Sequence, residues 1–441
     1  MKNVLVLGAG LVAGPLVRYL LNVDEFDVTV ASRTVEKAQK LIGAASNGVA
    51  KALNVRDEAA LEALISEHDL SISLLPYVYH PTVARLCVKH KRQMVTTSYV
   101  KPEMQALDES AKAAGVVLLN EIGVDPGIDH MSAMQVIHRI EEQGGTLVSF
   151  VSNTGGLPAP DANDNPMGYK FSWAPRGVIL AGKNPARFLK DGETVDVPGP
   201  QLFAHHSPCN IKGFGTLEVY PNRDSIPYID TYDIRTVNSM FRGTLRYPGW
   251  CDTLKRIVEL GILDETKRSD LAGLTFAQFT GRLIGKSGAA TKADLAVHLG
   301  LPVDGKPIAD FDWLGFFSDE PLPEGADTYL DVLALRMLAL MQYKPGERDM
   351  LVMQHEFTAA YADRTETIYS TMIDYGIPNG DSSMSRLVGL PAAIAARMIL
   401  QGEIRLTGVH VPTIPAIYEP VLAELSRMGV SFDETVERHT A

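Results

Sequence analysis

A glycine-rich segment near the start of the sequence has the residue types and spacing that bind a dinucleotide. It reads Gly8-Ala9-Gly10-Leu11-Val12-Ala13, a G-x-G-x-x-A pattern that directly follows the apolar run Val4–Leu7. In such a loop the first glycine allows a tight strand-to-helix turn, the second lets the backbone approach a pyrophosphate, and the small last residue lets helix and strand pack closely. Because a helix N-terminus attracts phosphate, the pattern predicts a dinucleotide site. The alternative is a loop whose glycines serve only the turn and the packing.

The residues at the end of the second predicted strand indicate which dinucleotide binds. Enzymes that use NAD usually place Asp or Glu there, where the carboxylate accepts from the ribose 2′-hydroxyl. This chain has Ser32, Arg33 and Thr34 instead. A carboxylate would repel a 2′-phosphate, whereas a guanidinium can bind it through charge-assisted hydrogen bonds. We therefore predict NADP(H) as the cofactor; the alternative is a solvent-facing arginine at a helix start.

Hydroxyl and carboxylate groups follow two further predicted strands. Ligands of open parallel sheets lie at the carboxyl ends of the strands. Ser98 and Tyr99 follow the predicted strand Met94–Thr97, so they place hydroxyls near the expected nicotinamide position. Asp125 precedes Pro126 on a predicted turn, where its carboxylate could meet a substrate ammonium. For Asp125 the alternative is a residue that only forms the turn.

Two arginines in the second half of the chain suit an acidic substrate. Arg223 follows the predicted strand Thr216–Tyr220, and Arg246 is expected on a loop. Loop arginines of an acidic protein are usually surface residues, which is the alternative here. Because a guanidinium binds a carboxylate with two hydrogen bonds, the pair also suits a substrate with several carboxylates.

The elements that must position these residues change character along the chain. Up to about residue 125, short apolar runs alternate with helical patterns, which predicts right-handed βαβ crossovers and a parallel sheet. Its predicted strands are Val4–Leu7, Val28–Ala31, Leu70–Leu75, Met94–Thr97 and Val116–Leu119. Strands of a second sheet are predicted at Leu147–Ser152, Thr216–Tyr220, Met350–Phe357 and Thr367–Ile373. Residues 245–345 are mostly helical in pattern.

Composition limits the classes of partner. The chain has 441 residues, with 41 Lys and Arg against 53 Asp and Glu, a formal charge of −12. That acidity argues against binding nucleic acid or an anionic membrane. Three cysteines in no C-x-x-C pair argue against a disulfide framework and favour the cytosol. No apolar run reaches the roughly 18–20 residues of a membrane span, and no signal peptide is evident. We predict a cytoplasmic protein without a metal site, with His80 and His130 structural.

Longer stretches of the sequence resemble one family over nearly the whole chain. The resemblance is to the saccharopine reductases, the NADP-dependent, L-glutamate-forming saccharopine dehydrogenases of the aminoadipate lysine pathway. The stretches that carry it are Val95–Val100, Asn120–His130, Gly155–Pro160, Asp164–Trp173, Tyr220–Ser225 and Arg242–Tyr247. Two positions depart from the family pattern: Thr154 replaces a cysteine and Ala174 replaces a serine expected to contact the cofactor.

The resemblance implies an α/β fold: a Rossmann-like doubly wound parallel sheet plus a mixed-sheet α/β domain with an all-helical insertion. The expected NADP-binding domain covers residues 1–125 and about 390–441. A substrate-binding and dimerisation domain covers 126–243 and about 346–389, and an all-helical domain covers 244–345. A homodimer is expected. These domains agree with the order of the predicted elements.

The resemblance also implies the ligand contacts. Expected cofactor contacts, added to Gly8, are Ala9, Gly10, Leu11, Val12, Ser32, Arg33, Thr34, Asn54, Val55, Leu75, Thr97, Ser98, Val124, Asp125 and Pro126. Expected saccharopine contacts are Ser98, Tyr99, Asp125, Arg223, Thr244, Leu245 and Arg246. Tyr99 and Asp125 are the candidate catalytic residues, because an imine must be protonated to accept hydride well.

The implied reaction condenses L-glutamate with L-2-aminoadipate 6-semialdehyde and reduces the resulting imine to saccharopine, or runs in reverse. Two alternatives stay open. One is a related imine-reducing dehydrogenase of carboxynorspermidine or opine type, although a polyamine would favour acidic groups in place of Arg223 and Arg246. The other is a catalytically silent NADP-binding sensor, against which the retained Asp125 and both arginines argue.

Overall fold

The strands and helices follow from a computed structural model, which describes residues 1–172 and 175–440. The departure at Ala174 lies outside the described residues. The strands are β1 (Lys2–Leu7), β2 (Phe26–Ser32), β3 (Gly48–Ala52), β4 (Leu70–Ser73), β5 (Gln93–Thr96), β6 (Val117–Leu119), β7 (Thr146–Pro158), β8 (Ala186–Lys190), β9 (Glu193–Val197), β10 (Ser207–Ile211), β11 (Gly215–Pro221), β12 (Ser239–Arg246), β13 (Asp349–Ala360), β14 (Arg364–Tyr375), β15 (Gly408–His410) and β16 (Asp433–Thr440).

Helices connect and cover these strands. They are α1 (Ala13–Leu21), α2 (Val35–Ile42), α3 (Glu58–Glu67), α4 (His80–His90), α5 (Pro102–Gln105), α6 (Asp108–Ala114), α7 (Ile128–Glu142), α8 (Pro175–Ile179), α9 (Pro227–Thr231), α10 (Trp250–Glu259), α11 (Phe276–Leu283), α12 (Lys292–Leu299), α13 (Lys306–Trp313), α14 (Tyr329–Leu340), α15 (Ser383–Leu400) and α16 (Pro415–Arg427). The chain divides into two compact units, residues 1–145 with 380–432 and residues 146–379 with 433–441.

The first unit contains a parallel sheet with the strand order β15-β6-β5-β4-β1-β2-β3. Each neighbouring pair is parallel, for example β1 with β2 and β1 with β4. Strand order reverses between β1 and β4, and in doubly wound sheets the ligand crevice lies at that reversal, outside the carboxyl ends of the strands. The predicted Rossmann-like fold is confirmed.

Two strands of this sheet were not predicted from the sequence. Edge strand β3 is GVAKA and has no fully buried residue, so it lacks the apolar run that marks a buried strand. Strand β15 is only three residues long and pairs with β6 through Gly408, Val409 and His410. Neither of these differences moves a predicted ligand contact.

The second unit contains a mixed sheet with the main order β10-β11-β12-β7-β13-β14-β16. Strand β8 pairs with both β12 and β9. Strand β12 runs parallel to β7, whereas β13 runs antiparallel to it. Helices α10–α14 contribute to one apolar core that the sheet shares, as residues such as Leu254, Phe311 and Leu333 are buried with Leu217 and Val352. The helical pattern expected over 245–345 is present. The α/β class with a second, mixed sheet is confirmed.

Two segments lie in a different unit from the predicted one. Helix α7 belongs to the first unit, where it packs against α16. The last strand, β16, pairs with β14 in the second sheet through Thr435, Glu437 and neighbouring residues, although the tail after about 390 was assigned to the first domain. Its almost entirely polar sequence gives no buried run from which the pairing could be predicted. The three-domain division stays a prediction.

Helix α15 is long and apolar enough to meet the length and composition of a membrane span, which the sequence analysis did not expect of any segment. Within the structure, 61% of the 18-residue helix Ser383–Leu400 is buried. It packs against α1, β4 and β5 of the first unit. This burial is typical of a core helix.

Candidate active site

The glycine-rich loop has the geometry that a bound pyrophosphate requires. Gly8 has φ of +112°, and a Cβ there would lie 3.1 Å from the carbonyl oxygen of Leu74, so β1 can leave the sheet beside β4 only with glycine. A Cβ on Gly10 would meet no atom within 4 Å. Its backbone is therefore open to a ligand. Leu11 is 74% exposed beside it, whereas Ala13 is buried at the start of α1. The residues fit a dinucleotide.

The residues after β2 and β3 lie at the same edge of the parallel sheet. The backbone N–H of Thr34 donates to Ser32 Oγ at 3.3 Å, which shapes the turn into α2. Arg33 is exposed on this turn, and within the described residues it forms no salt bridge. Asn54 follows β3 and its Oδ1 accepts from the backbone N–H of Arg56 at 3.2 Å. This edge offers a free guanidinium near the expected adenosine ribose.

The ends of β4, β5 and β6 supply the other predicted cofactor contacts. Leu75 and Thr97 are partly buried just beyond β4 and β5. Gly123 lies against Thr97, since a Cβ on that glycine would be 3.1 Å from Thr97 Cβ. The segment after β6 is closed by the bond from Gly123 N–H to the Pro126 carbonyl, 2.9 Å, and Asp125-Pro126 is a cis peptide. Val55, the predicted cofactor contact that follows β3, is also partly buried.

The two candidate catalytic side chains lie in contact. Tyr99 donates its phenolic O–H to Asp125 Oδ1 at 3.1 Å, and both residues are partly buried. A hydroxyl and a carboxylate at this distance can share a proton with a third group. Sequence analysis named the two residues from separate strands, and the structure brings them together.

A buried hydrogen bond between a carboxylate and an imidazole supports this contact and was not predicted. Glu121 Oε2 lies 2.8 Å from His130 Nε2, with both side chains almost fully buried. Its other oxygen accepts from the backbone N–H of Val100 at 2.7 Å, and its own backbone N–H donates to the Ser98 carbonyl at 3.1 Å. Glu121 therefore ties the Ser98–Val100 loop to the segment that carries Asp125. A structural role for His130 agrees with this geometry.

Arg246 is not on a loop but is the last residue of β12, and only 4% of it is exposed. Its guanidinium carbon lies 4.9, 5.8 and 5.6 Å from the ring centres of Tyr169, Tyr220 and Trp250. Nη1 donates to the Leu245 carbonyl at 2.7 Å, while Nε has no hydrogen-bond partner. Among the described residues no carboxylate pairs with this cation.

The other predicted saccharopine contacts differ in exposure. Arg223 is exposed just after β11 and has φ of +57°. Thr244 is partly buried on β12, and Leu245 is fully buried in the apolar core. A substrate contact of Leu245 would therefore use its backbone and not its side chain.

Two glycines of the second unit keep β12 close to its neighbours. A Cβ on Gly155 would lie 2.6 Å from the Leu245 carbonyl oxygen, and one on Gly243 would lie 2.3 Å from Val219 Cγ2 and 2.5 Å from Asn153 Oδ1. Gly243 in the middle of β12 also explains why the strand was missed, because glycine weakens a strand pattern.

One cluster of metal-ligating types was not predicted. His206, Glu218 and Cys251 have side-chain ligand atoms within 4.8 Å of one another. The two Glu218 oxygens accept from the backbone N–H groups of Gly249 and Cys251 at 3.0 and 2.6 Å, at the start of α10. Burial and the nearby Glu218 raise the pKa of the Cys251 thiol. The geometry is also that of a carboxylate that caps a helix.

Comparison with known proteins decides the family. A family model described as "Saccharopine dehydrogenase C-terminal domain" matches residues 123–430, and one described as "Saccharopine dehydrogenase NADP binding domain" matches residues 4–119. The chain belongs to the saccharopine dehydrogenase family. The predicted family, the NADP(H) cofactor and the oxidoreductase class are confirmed.

Members of the saccharopine dehydrogenase family are similar over the whole chain. The saccharopine dehydrogenase [NADP(+), L-glutamate-forming] of Schizosaccharomyces pombe is 42% identical over 99% of this chain and 99% of that protein. The Saccharomyces cerevisiae protein of the same name is 41% identical over 98% and 99%. A solved structure of the apo L-Glu-forming enzyme from S. cerevisiae superposes with a TM-score of 0.91 at 38% identity, covering 99% of this chain and all of that one. In mouse alpha-aminoadipic semialdehyde synthase the chain matches 47% of the protein, at 38% identity.

Proposed function

We propose that this chain reduces the imine formed between L-glutamate and L-2-aminoadipate 6-semialdehyde, giving saccharopine, and that it catalyses the reverse oxidation. The chain is an NADP-dependent saccharopine dehydrogenase of the L-glutamate-forming type, as its full-length relatives are. The observation in the structure that supports this substrate is Arg246. It is a buried cation ringed by three aromatic side chains, without a carboxylate partner in the described part of the chain.

Arg246 binds one carboxylate of saccharopine, and the exposed Arg223 binds another. A buried guanidinium without a protein carboxylate has unused hydrogen-bond donors, and a substrate carboxylate satisfies them with two parallel bonds. Aromatic faces hold the guanidinium in place without neutralising it. Saccharopine has three carboxylates, so a site built on arginines matches its charge. A polyamine substrate would be repelled by the same residues.

Arg33 selects NADP(H) by pairing with the 2′-phosphate, and the Gly8–Val12 loop holds the pyrophosphate at the N-terminus of α1. When bound, NADPH supplies the hydride that reduces the imine carbon. Ser98 contacts both the cofactor and the substrate. Holding the amine, the aldehyde and the reductant together lowers the barrier through orientation.

Tyr99 and Asp125 handle the proton of the reaction. Glutamate's amine attacks the aldehyde carbon, the resulting carbinolamine loses water, and the imine nitrogen needs a proton before reduction. The Tyr99 hydroxyl at 3.1 Å from Asp125 Oδ1 can pass a proton to that nitrogen while the carboxylate stabilises the iminium charge. In the reverse direction the same pair accepts the proton.

The remaining expectations complete the proposal. The chain acts as a homodimer in the cytoplasm, without nucleic-acid or membrane partners. The first unit, without the terminal strand β16, binds NADP(H), the mixed-sheet region binds saccharopine and dimerises, and residues 244–345 form the helical domain. Light scattering of the purified protein tests the dimer, since a monomeric mass would overturn it.

One assay tests the reaction. NADPH oxidation is followed at 340 nm with the semialdehyde plus glutamate, and compared with lysine plus 2-oxoglutarate and with NADH. Turnover is expected only when both glutamate and the semialdehyde are present, and NADH should be a much poorer reductant. Glutamate-independent turnover would favour another imine-reducing dehydrogenase, and the absence of any turnover would favour the NADP-binding sensor.

A further inference from the structure

A buried histidine connects the ends of the neighbouring strands β4 and β5 and forms a hydrogen bond with Ser98. His80 is the first residue of α4 and is 4% exposed. Its Nδ1 lies 2.9 Å from Ser73 Oγ at the end of β4, and its Nε2 lies 2.8 Å from Ser98 Oγ beyond the end of β5. The imidazole therefore spans the gap between two strand ends with both ring nitrogens in use.

We propose that His80 is a positioning residue that fixes the Ser98 hydroxyl toward the cofactor and substrate through a Ser73–His80–Ser98 hydrogen-bond chain. The proposal rests on the proposed role of Ser98 as a ligand contact. His80 itself touches neither ligand in this scheme.

The surroundings of the ring favour one defined orientation of Ser98. Burial lowers the pKa of His80 to about 4, so the ring is neutral near pH 7 and has one N–H donor and one acceptor nitrogen. Each serine hydroxyl must then take the complementary role. Thr96 Oγ1 lies farther from Nε2, at 3.4 Å, and donates to the Ser73 carbonyl at 2.9 Å. Ser98 is therefore the main partner of Nε2.

The hydrogen bond from the His80 ring restricts the rotation of the Ser98 side chain. The Ser98 side chain is only partly buried, so without Nε2 its hydroxyl could rotate among three staggered positions. A fixed hydroxyl is already oriented when the ligand binds, and pre-organisation of this kind reduces the entropy lost on binding.

Two substitutions at residue 80 separate the two ring nitrogens. In His80→Gln the side-chain amide nitrogen reaches the place of Nε2, whereas in His80→Asn the shorter amide reaches the place of Nδ1 and cannot reach Ser98. Kinetics with NADPH, glutamate and semialdehyde are measured for both variants, for Ser98→Ala and for the double variant His80→Asn/Ser98→Ala. His68→Asn is the control, because His68 is also buried and bonds a backbone carbonyl, that of Leu64 at 2.6 Å, at the opposite end of β4.

We expect Ser98→Ala and His80→Asn each to lower kcat/KM by about tenfold, the effect of one hydrogen bond. The double variant should lose no more than either single variant, because both remove the same interaction. His80→Gln should recover most of the activity. His68→Asn should lower the Tm without changing kcat/KM.

Other outcomes overturn the proposal in distinguishable ways. If His80→Asn leaves kcat/KM unchanged while Ser98→Ala lowers it, the hydrogen-bond chain has no positioning role but Ser98 keeps its own. If the losses multiply in the double variant, or if His80→Gln is as poor as His80→Asn, His80 acts only through the fold. If Ser98→Ala has no effect, the role of Ser98 fails and His80 with it, while glutamate-dependent turnover of the wild type would leave the proposed reaction standing.

Discussion

Replacing Arg246 by methionine tests whether this buried cation serves the substrate or the fold. Methionine has nearly the length of the arginine stem but carries no charge and no hydrogen-bond donor. Arg246 is 4% exposed at the end of β12, so the substitution removes a charge from a site that water scarcely reaches. The two roles predict opposite changes in stability and in catalysis.

The free energy of unfolding without substrate should change little, by our estimate within about 1 kcal/mol. Losing the contacts with three aromatic rings at 4.9–5.8 Å and the bond to the Leu245 carbonyl destabilises the variant by a few kcal/mol, at ~0.5–2 kcal/mol for each cation–π contact. Removing the cation also abolishes the cost of burying an ion, which is several kcal/mol. Because no protein carboxylate in the described residues loses its partner, these terms nearly cancel.

Catalysis should fall much further. Truncating one partner of a buried, hydrogen-bonded charge pair costs about 2–5 kcal/mol, so kcat/KM for saccharopine should drop by a factor of roughly 30 to 5,000. Arg246→Lys should restore part of the loss, because an ammonium keeps the charge but not the forked geometry. Arg256→Met is the matched control, since Arg256 pairs with Glu259 on the same helix, α10, at 2.6 Å.

Steady-state kinetics and urea unfolding of the same preparations decide between the roles. If Arg246→Met lowers the free energy of unfolding by about 3–5 kcal/mol, as breaking a buried ion pair does, and leaves kcat/KM unchanged, the arginine is structural. The carboxylate-binding argument would then be wrong.

Three further predictions follow from the geometry. Arg33→Ala should raise the KM for NADPH by about 10- to 100-fold, since it removes charge-assisted bonds of about 1.5–3 kcal/mol, and should leave the KM for NADH unchanged; equal effects on both cofactors would rule out phosphate selection. Gly155→Ala should lower the Tm and the saccharopine affinity together, because the added Cβ would lie 2.6 Å from the Leu245 carbonyl oxygen beside Arg246; an unchanged Tm would show that β7 and β12 can separate freely. Because the pKa of His80 is lowered from 6.5 to about 4 in the folded state, the unfolded state binds the proton first, and stability is lost as pH falls from about 6.5 to about 4. Its contribution is about 3 kcal/mol, and urea unfolding of His80→Gln should lack that part of the pH dependence; an identical dependence in the variant would refute the assignment.

The first unit was largely predictable because its signals are local. A buried parallel strand is often a continuous apolar run, which β1 and β6 contain; β2, β4 and β5 have shorter apolar stretches or alternate apolar residues with serine or threonine. Their ligand contacts follow from position alone, since the chain leaves each strand at the same edge of the sheet. The failures, β3 and β15, are edge strands whose few residues bury too little apolar surface to leave a pattern.

Contacts between distant residues explain what the sequence did not show. In the pair Glu121–His130, Glu121 has φ of +57°, a conformation that is uncommon for a residue other than glycine and that the neighbouring sequence does not predict. In the same way, β12 is interrupted in pattern by Gly243, whose missing side chain is required by Val219 and Asn153 from neighbouring strands. Sequence patterns therefore predicted candidate site residues, whereas the contacts that orient these side chains depend on strand pairing.

The structure places Arg246 at the end of strand β12 and not on the expected loop, and this difference changes how the residue is interpreted. A loop arginine in a chain of charge −12 would be one of many solvated cations, and its loss would be nearly neutral. The same residue at the buried end of a strand bears the cost of desolvation in every folded molecule. Among the described residues it has aromatic neighbours but no salt bridge, since the buried Glu218 opposite it on β11 accepts from two backbone N–H groups instead. A fold that retains such a cation gains from it only when an anion binds. The argument for a carboxylate substrate therefore depends on burial, which the structure supplies, and not on the count of arginines, which composition supplies.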